Sequence, residues 1–94
     1  MIELNNVNEQ IILSVLNLSK KCAQAISENN VSEFTKLSVE MLEHSTYHSK
    51  EYRQKIKSLI DDVCWEMTGQ NVNLDVVASD FSSLIVKISR RELN

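Results

Sequence analysis

Two histidines, His44 and His48, are the residues of this chain whose types and spacing are best suited to chemistry. They lie four positions apart in the stretch MLEHSTYHSKEY, so on a helix they would share one face about 6 Å apart. Such a pair can hold a transition metal, with further ligands from Glu40, Glu43 or Glu51. The sequence has no second HxxxH pair and no HExxH motif. We interpret both histidines as partly exposed residues beside a bend, with metal binding through them as an alternative.

Other residue patterns typical of enzymes are weak in this sequence. Cys22 and Cys64 both fall on apolar helical stripes, so we expect buried, unreactive free thiols and not a disulfide. Asp61 and Asp62 are adjacent and would point about 100° apart on a helix, which prevents them from acting as a pair. Gly69 is the one glycine, so no glycine-rich phosphate loop exists. We predict a protein that is not an enzyme and that carries no cofactor.

The composition limits the fold and the partners. A chain of 94 residues forms one domain, 1–94. No proline and one glycine indicate helices joined by short connections, and 43% hydrophobic residues argue against disorder. A net charge of −3 argues against non-specific binding to nucleic acid or to a membrane surface. The apolar runs are too short to span a bilayer and the acidic start is unlike a secretory signal, so a cytoplasmic location is predicted.

A helix is predicted over about residues 5–28. Its apolar residues recur at spacings of four and three: Val7, Ile11, Val15, Leu18, Cys22 and Ala25. Leu16 broadens this face and Leu13 points further round, so the helix is apolar over more than half its circumference. Such a helix is either central in its own bundle or part of a dimer interface.

Three further helices are predicted, over about 31–44, 46–68 and 73–91. Asn29 and Asn30 end the first helix, and Asn30 is placed to cap the second. Gly69 is expected to end the third helix in the left-handed conformation, and Asn73 to cap the fourth. The fold class is all-α, an antiparallel bundle of three to four helices that we expect to form a homodimer.

The number of helices depends on residues 43–50. Serine, threonine and histidine in this segment favour a break, with Ser45 or Ser49 as the cap of a new helix. However, the apolar stripe before the segment is in phase with the stripe after it, which favours one helix over 31–68. A helix of that length would be about 57 Å long and would make sense mainly in a dimer. Both alternatives stay open at this stage.

Trp65 is the strongest candidate for an interaction site. It lies about 180° from Ile56 around the predicted helix, opposite the apolar stripe. Ser58 and Asp61 lie near the same line, and so does Tyr47 if the helix is continuous. Tryptophan is enriched at interface hot spots because it buries a large area at low entropic cost. Trp65 therefore packs on its own bundle, on a second copy or on another protein.

Three classes of function follow. The preferred one is a non-enzymatic interaction module, such as an adaptor, inhibitor or chaperone, that binds another protein. The interface candidates are Trp65, Tyr47, Asp61, Ser58, Leu13 and Leu16. The alternatives are a transcription-linked regulator that uses the basic clusters at 53–57 and 87–91, and a metal-binding protein. In size and helical content the chain resembles small bacterial secretion chaperones, immunity proteins and phage-encoded inhibitors, a resemblance that rests on no specific motif.

Overall fold

The computed structural model describes the backbone of residues 2–93 and the side chains of residues 8–92. Over this range the chain forms four α-helices and no strand: α1 (Ile2–Ser27), α2 (Val31–Thr46), α3 (Lys50–Met67) and α4 (Leu74–Leu93). The predicted all-α class is confirmed, and the four-helix alternative is correct.

Successive helices run antiparallel, because the connections between them are short. Late α1 meets α2 where the Cys22 thiol donates to Met41 Sδ at 3.5 Å. Early α3 meets late α4 where the hydroxyls of Tyr52 and Ser89 are 2.7 Å apart. α1 packs against α2 and α4, and α3 packs against the same two helices, so α1 and α3 are diagonal to each other. The resulting bundle measures 49 × 21 × 19 Å.

The first connection forms as its asparagines predict. Asn29 adopts the left-handed conformation with φ 54°, which asparagine tolerates better than most residues. The side chain of Asn30 then accepts a hydrogen bond of 3.1 Å from the backbone amide of Glu33. This bond satisfies an amide that the start of a helix would otherwise leave unpaired.

The helix break lies at residues 47–49. α2 ends at Thr46, and the Ser49 side chain accepts a 3.0 Å hydrogen bond from the amide of Tyr52 to begin α3. The single long helix over 31–68 is therefore wrong. Ser45 and Tyr52 are nevertheless both fully buried on either side of the break. The apolar stripes of α2 and α3 are in phase because both helices face the same core. This phase carries no information on whether the helix axis is straight.

Gly69 does not adopt the predicted left-handed conformation. Asn71 takes that role two residues later, with φ 62°. Glycine is instead favoured at position 69 by close packing, because an added Cβ would lie 3.1 Å from Val72 Cγ2 and 3.3 Å from the carbonyl oxygen of Glu66. The Asn73 side chain caps α4 as predicted by accepting hydrogen bonds from two amides of its first turn.

The wide apolar face of α1 is buried within its own bundle. Ile12, Val15, Cys22 and Ile26 are each 0% exposed, because α2 and α4 flank α1 on two sides. This finding supports the central position for α1 over the dimer interface. Val7, the first residue of the predicted stripe, lies outside the described side chains.

Cys64 is an exception to the predicted core. The structure shows an exposed free thiol at this position, whereas Cys22 is free and buried. Cys64 lies about 80° from Ile56 around α3, at the flank of the apolar stripe. The neighbouring helices cover the centre of the stripe and leave this flank open, so the prediction that both thiols are buried is wrong for Cys64.

Candidate protein-interaction surfaces

Trp65 projects from the outer face of α3. Its side chain is 80% exposed, although it lies only two residues before the end of the helix at Met67. The opposite face of α3 is buried against the core through Tyr52, Ile56 and Ile60. The alternative in which Trp65 packs on its own bundle is therefore wrong. The two remaining alternatives are a contact of Trp65 with a second copy or with another protein.

Ser58 and Asp61 are exposed on the same side of α3 as Trp65, seven and four residues before it. The Asp61 carboxylate accepts a hydrogen bond of 2.8 Å from Lys57 Nζ in an exposed ion pair. Ser58, Asp61 and Trp65 together are called the Trp65 surface below. This surface has a large aromatic side chain at its centre, with a hydroxyl and a carboxylate beside it. A partner could therefore bury the aromatic ring and form hydrogen bonds around it.

Tyr47 is also strongly exposed, at 79%, but it belongs to a different part of the molecule. It lies in the turn before α3, whereas Trp65 lies near the end of α3. Lys50, the first residue of α3, is 15 positions before Trp65, which corresponds to about 22 Å along the helix axis. The outward line that a continuous helix would have formed does not exist, so Tyr47 and Trp65 are not parts of one compact site.

Leu13 and Leu16 occupy a third location. Leu13 is 54% exposed on α1, and Leu16 is half-buried against the core. Because α1 and α3 are diagonal in the bundle, neither leucine adjoins the Trp65 surface. An isolated exposed leucine is common on protein surfaces and does not by itself mark an interface.

The two histidines have separate environments. His44 is exposed in the last turn of α2. His48 lies in the following turn, with Nε2 2.8 Å from Glu92 Oε1 and its ring edge-on to that of Tyr52 at 5.1 Å. Its Nδ1 is buried without a hydrogen-bond partner in the described chain. These contacts join the turn before α3 to the end of α4.

Neither thiol is activated as a nucleophile. Burial raises the pKa of Cys22 from 9.0 to about 12. Partial burial, followed by the charge of Asp61, also raises the pKa of Cys64. Both groups are therefore protonated at neutral pH, and a thiol in this form is a poor nucleophile.

A groove between α3 and α4 is a further candidate surface that the sequence analysis did not identify. Its volume is about 130 Å³, and its apolar lining consists of Leu59, Val63, Val77, Phe81 and Leu84. Three exposed carboxylates stand at its rim: Asp62, Glu66 and Asp80. A signal was present in the sequence, because Leu59, Asp62 and Glu66 follow one another at spacings of three and four along one side of α3.

Comparisons of the chain with protein-family models, with curated proteins and with solved structures found no match. Within residues 2–93, the helices are all too short or too polar to cross a membrane. No three His, Cys, Asp or Glu side chains converge on a possible metal position in the part of the chain that the structure describes.

Proposed function

We propose that the protein is a non-enzymatic interaction module that binds another protein through the Trp65 surface. The observation that carries the proposal is the 80% exposure of Trp65 on the outer face of a regular helix. Burial of an exposed indole ring contributes roughly 25 cal/mol for each Å² of apolar surface that is removed from water. A partner that covers the ring gains this contribution, which is why tryptophan is frequent among hot-spot residues.

The helix gives this surface a fixed backbone. Trp65 lies within α3, and the Thr68 hydroxyl donates a 2.6 Å hydrogen bond to its carbonyl oxygen in the last turn. A side chain on such a backbone loses little conformational entropy when it is bound. The partner is expected to offer an apolar pocket for the indole, with an acceptor for its N–H group and polar groups that meet Ser58 and Asp61.

A pull-down from extracts of the native host tests this proposal. Wild type, Trp65→Ala and Tyr47→Ala would be compared at equal bait concentration. Tyr47→Ala is a matched control, because it removes an equally exposed aromatic ring at the other end of α3. We expect a protein that is recovered with wild type and Tyr47→Ala and is lost with Trp65→Ala.

A titration of the purified partner provides the direct measurement. Because the chain has one tryptophan, a partner without tryptophan should shift the emission of Trp65 from red to blue as the ring leaves water. Recovery of the same proteins by wild type and Trp65→Ala would refute the proposal, and so would an emission that does not change on binding.

Homodimer formation is a second part of the proposal. A chain of 94 residues has a small core relative to its surface, so the burial of more surface in a dimer would stabilise it. The face of α1 that first suggested a dimer is covered by α2 and α4, and a second copy would need another face.

A further inference from the structure

The outer side of the α3–α4 groove has an ordered sequence of charges. Along α3, towards its start, Glu66 and Asp62 are followed by Leu59 and then by Lys55, at spacings of four, three and four. These spacings keep all four residues on one side of the helix. Glu66, Asp62 and Leu59 line the groove, so the exposed Lys55 continues the same line one turn further.

α4 carries the same order beside it. In the direction from the loop at 68–73, Asp80 is followed by Leu84, Lys87 and Arg91, again at spacings of four, three and four. Asp80 and Leu84 line the groove, and Leu84 is 42% exposed. Because α3 and α4 are antiparallel, the two lines place like charges side by side.

The groove therefore has an acidic end, an apolar centre and a basic end. The acidic end contains Asp62, Glu66 and Asp80; the centre contains Leu59 and Leu84; the basic end contains Lys55, Lys87 and Arg91. Glu51 is exposed one turn before Lys55, beyond the basic end. The basic end keeps a net positive charge, because its three cationic residues outnumber this single carboxylate. Among the side chains of residues 8–92, the ion pairs are His48–Glu92 and Lys57–Asp61, and neither pair includes one of these six charges.

We propose that a second copy of this chain docks on the α3–α4 groove. The two copies are related by a two-fold axis that passes near Leu59 and Leu84. This rotation places the acidic end of each copy on the basic end of the other and packs the leucines together at the centre. An interface of this kind uses the same patch on both subunits, as two-fold symmetry requires.

The charge order favours a second copy over a helix that carries a single sign of charge. A basic helix from a different protein would be attracted by the acidic end and repelled by the basic end. An acidic helix would meet the reverse pattern. A second copy in the antiparallel orientation satisfies both ends at once, and the parallel orientation is opposed by like charges.

The size of the face indicates a weak dimer. α3 has 18 residues, a length of about 27 Å, and two packed helices are roughly 18 Å wide, which gives a face of about 500 Å² per copy. Interfaces of this size are typical of weak or transient association. Sedimentation equilibrium over micromolar to millimolar concentrations is therefore the appropriate measurement.

Charge reversal tests the inference. The acid-reversed variant carries Asp62→Lys, Glu66→Lys and Asp80→Lys, and the base-reversed variant carries Lys55→Glu, Lys87→Glu and Arg91→Glu. Each reversed face has one sign of charge, so we expect each variant alone to dimerise at least about 100-fold more weakly than wild type. An equimolar mixture should form a heterodimer, because the two reversed faces complement each other.

A matched control carries Glu9→Lys, Glu40→Lys and Glu43→Lys, which changes the net charge as much as acid reversal does at exposed positions on α1 and α2. It should dimerise like wild type. Circular dichroism and thermal melting would verify that each variant is folded. The restored association of the mixture is a further check, because an unfolded variant would not form the heterodimer.

This inference rests on the proposed homodimer. Trp65 lies about 60° from Asp62 around α3, so the Trp65 surface adjoins the groove but does not line it. A wild-type chain that stays monomeric up to millimolar concentration would overturn both the homodimer and the docking site. A wild-type dimer that both reversed variants retain would overturn the docking site alone. Trp65→Ala should leave the dimer intact, so failure of partner binding at the Trp65 surface is a separate result.

Discussion

α1 and α3 lie diagonally across the same bundle, but they use their surfaces differently. α1 has a wide apolar arc that two neighbouring helices cover, and its outward residue Leu13 is 54% exposed. α3 has a narrower apolar stripe, and it keeps Trp65 on the side away from the core. A wide apolar arc can therefore be buried entirely by neighbouring helices of the same chain. A single aromatic residue opposite a narrow stripe is more informative about partners.

Adjacent residues on α1 provide the largest expected contrast. Ile12 is 0% exposed and Leu13 is 54% exposed. Ile12→Ala should lower the free energy of unfolding by about 2–5 kcal/mol, because it removes buried methyl groups and leaves a cavity. Leu13→Ala should change it by less than about 0.5 kcal/mol. Urea unfolding measures both, and equal effects would disprove the central position of α1.

Alkaline pH should separate the two cysteines. The Cys22 thiol ionises near pH 9 when unfolded and has a pKa of about 12 in the folded chain. The stability that it contributes is complete below pH 9 and is lost as pH rises towards 12, by roughly 3 kcal/mol at pH 11. Melting curves of Cys22→Ala should therefore depend less on pH over this range than those of Cys64→Ala. Identical pH profiles would contradict the burial of Cys22.

Two tyrosines near the start of α3 provide a smaller contrast. The Tyr52 hydroxyl is buried and hydrogen-bonded to Ser89 at 2.7 Å, whereas Tyr47 is 79% exposed. Tyr52→Phe should lower the free energy of unfolding by about 1 kcal/mol, because the Ser89 hydroxyl loses its partner. Tyr47→Phe serves as the control and should have no measurable effect. An equal loss for both variants would contradict the buried hydrogen bond between Tyr52 and Ser89.

The smallest expected effect on stability is at Trp65 itself. Trp65→Ala should change the free energy of unfolding by less than about 0.5 kcal/mol, because the ring makes few contacts in its own chain. In the wild-type protein, acrylamide should quench the Trp65 emission nearly as well in the folded state as in urea. A large loss of stability in the variant, or protection from the quencher, would contradict the exposed position.

Local chemistry explains what could be predicted from the sequence. The four helices and the caps at Asn30 and Asn73 follow from apolar spacing and from side chains that accept backbone hydrogen bonds. The choice between a bent and a straight segment at 43–50 could not be made, because both conformations give the same apolar phase. The same limit applies to Cys64, whose exposure depends on how far the neighbouring helices extend round α3.

The candidate surfaces were predictable to different degrees. The angle between Trp65 and Ile56 predicts that Trp65 lies opposite the apolar stripe of α3. Whether another helix covers Trp65 could not be predicted, because that depends on how the four helices pack. The groove could not be predicted without knowing which helix lies beside α3 and in which direction that helix runs. The charge order along α3 is visible in the sequence, but it becomes a surface feature when α4 places the same order next to it.

The order in which the four helices contact one another also has a consequence for the rate of folding. Three of the four contacts join helices that are consecutive in the chain, through turns of a few residues. The fourth contact, between α1 and α4, joins the most distant parts of the sequence and has the largest cost of loop closure. We expect fast folding in which the hairpins α1–α2 and α3–α4 form early and the docking of α1 on α4 completes the core.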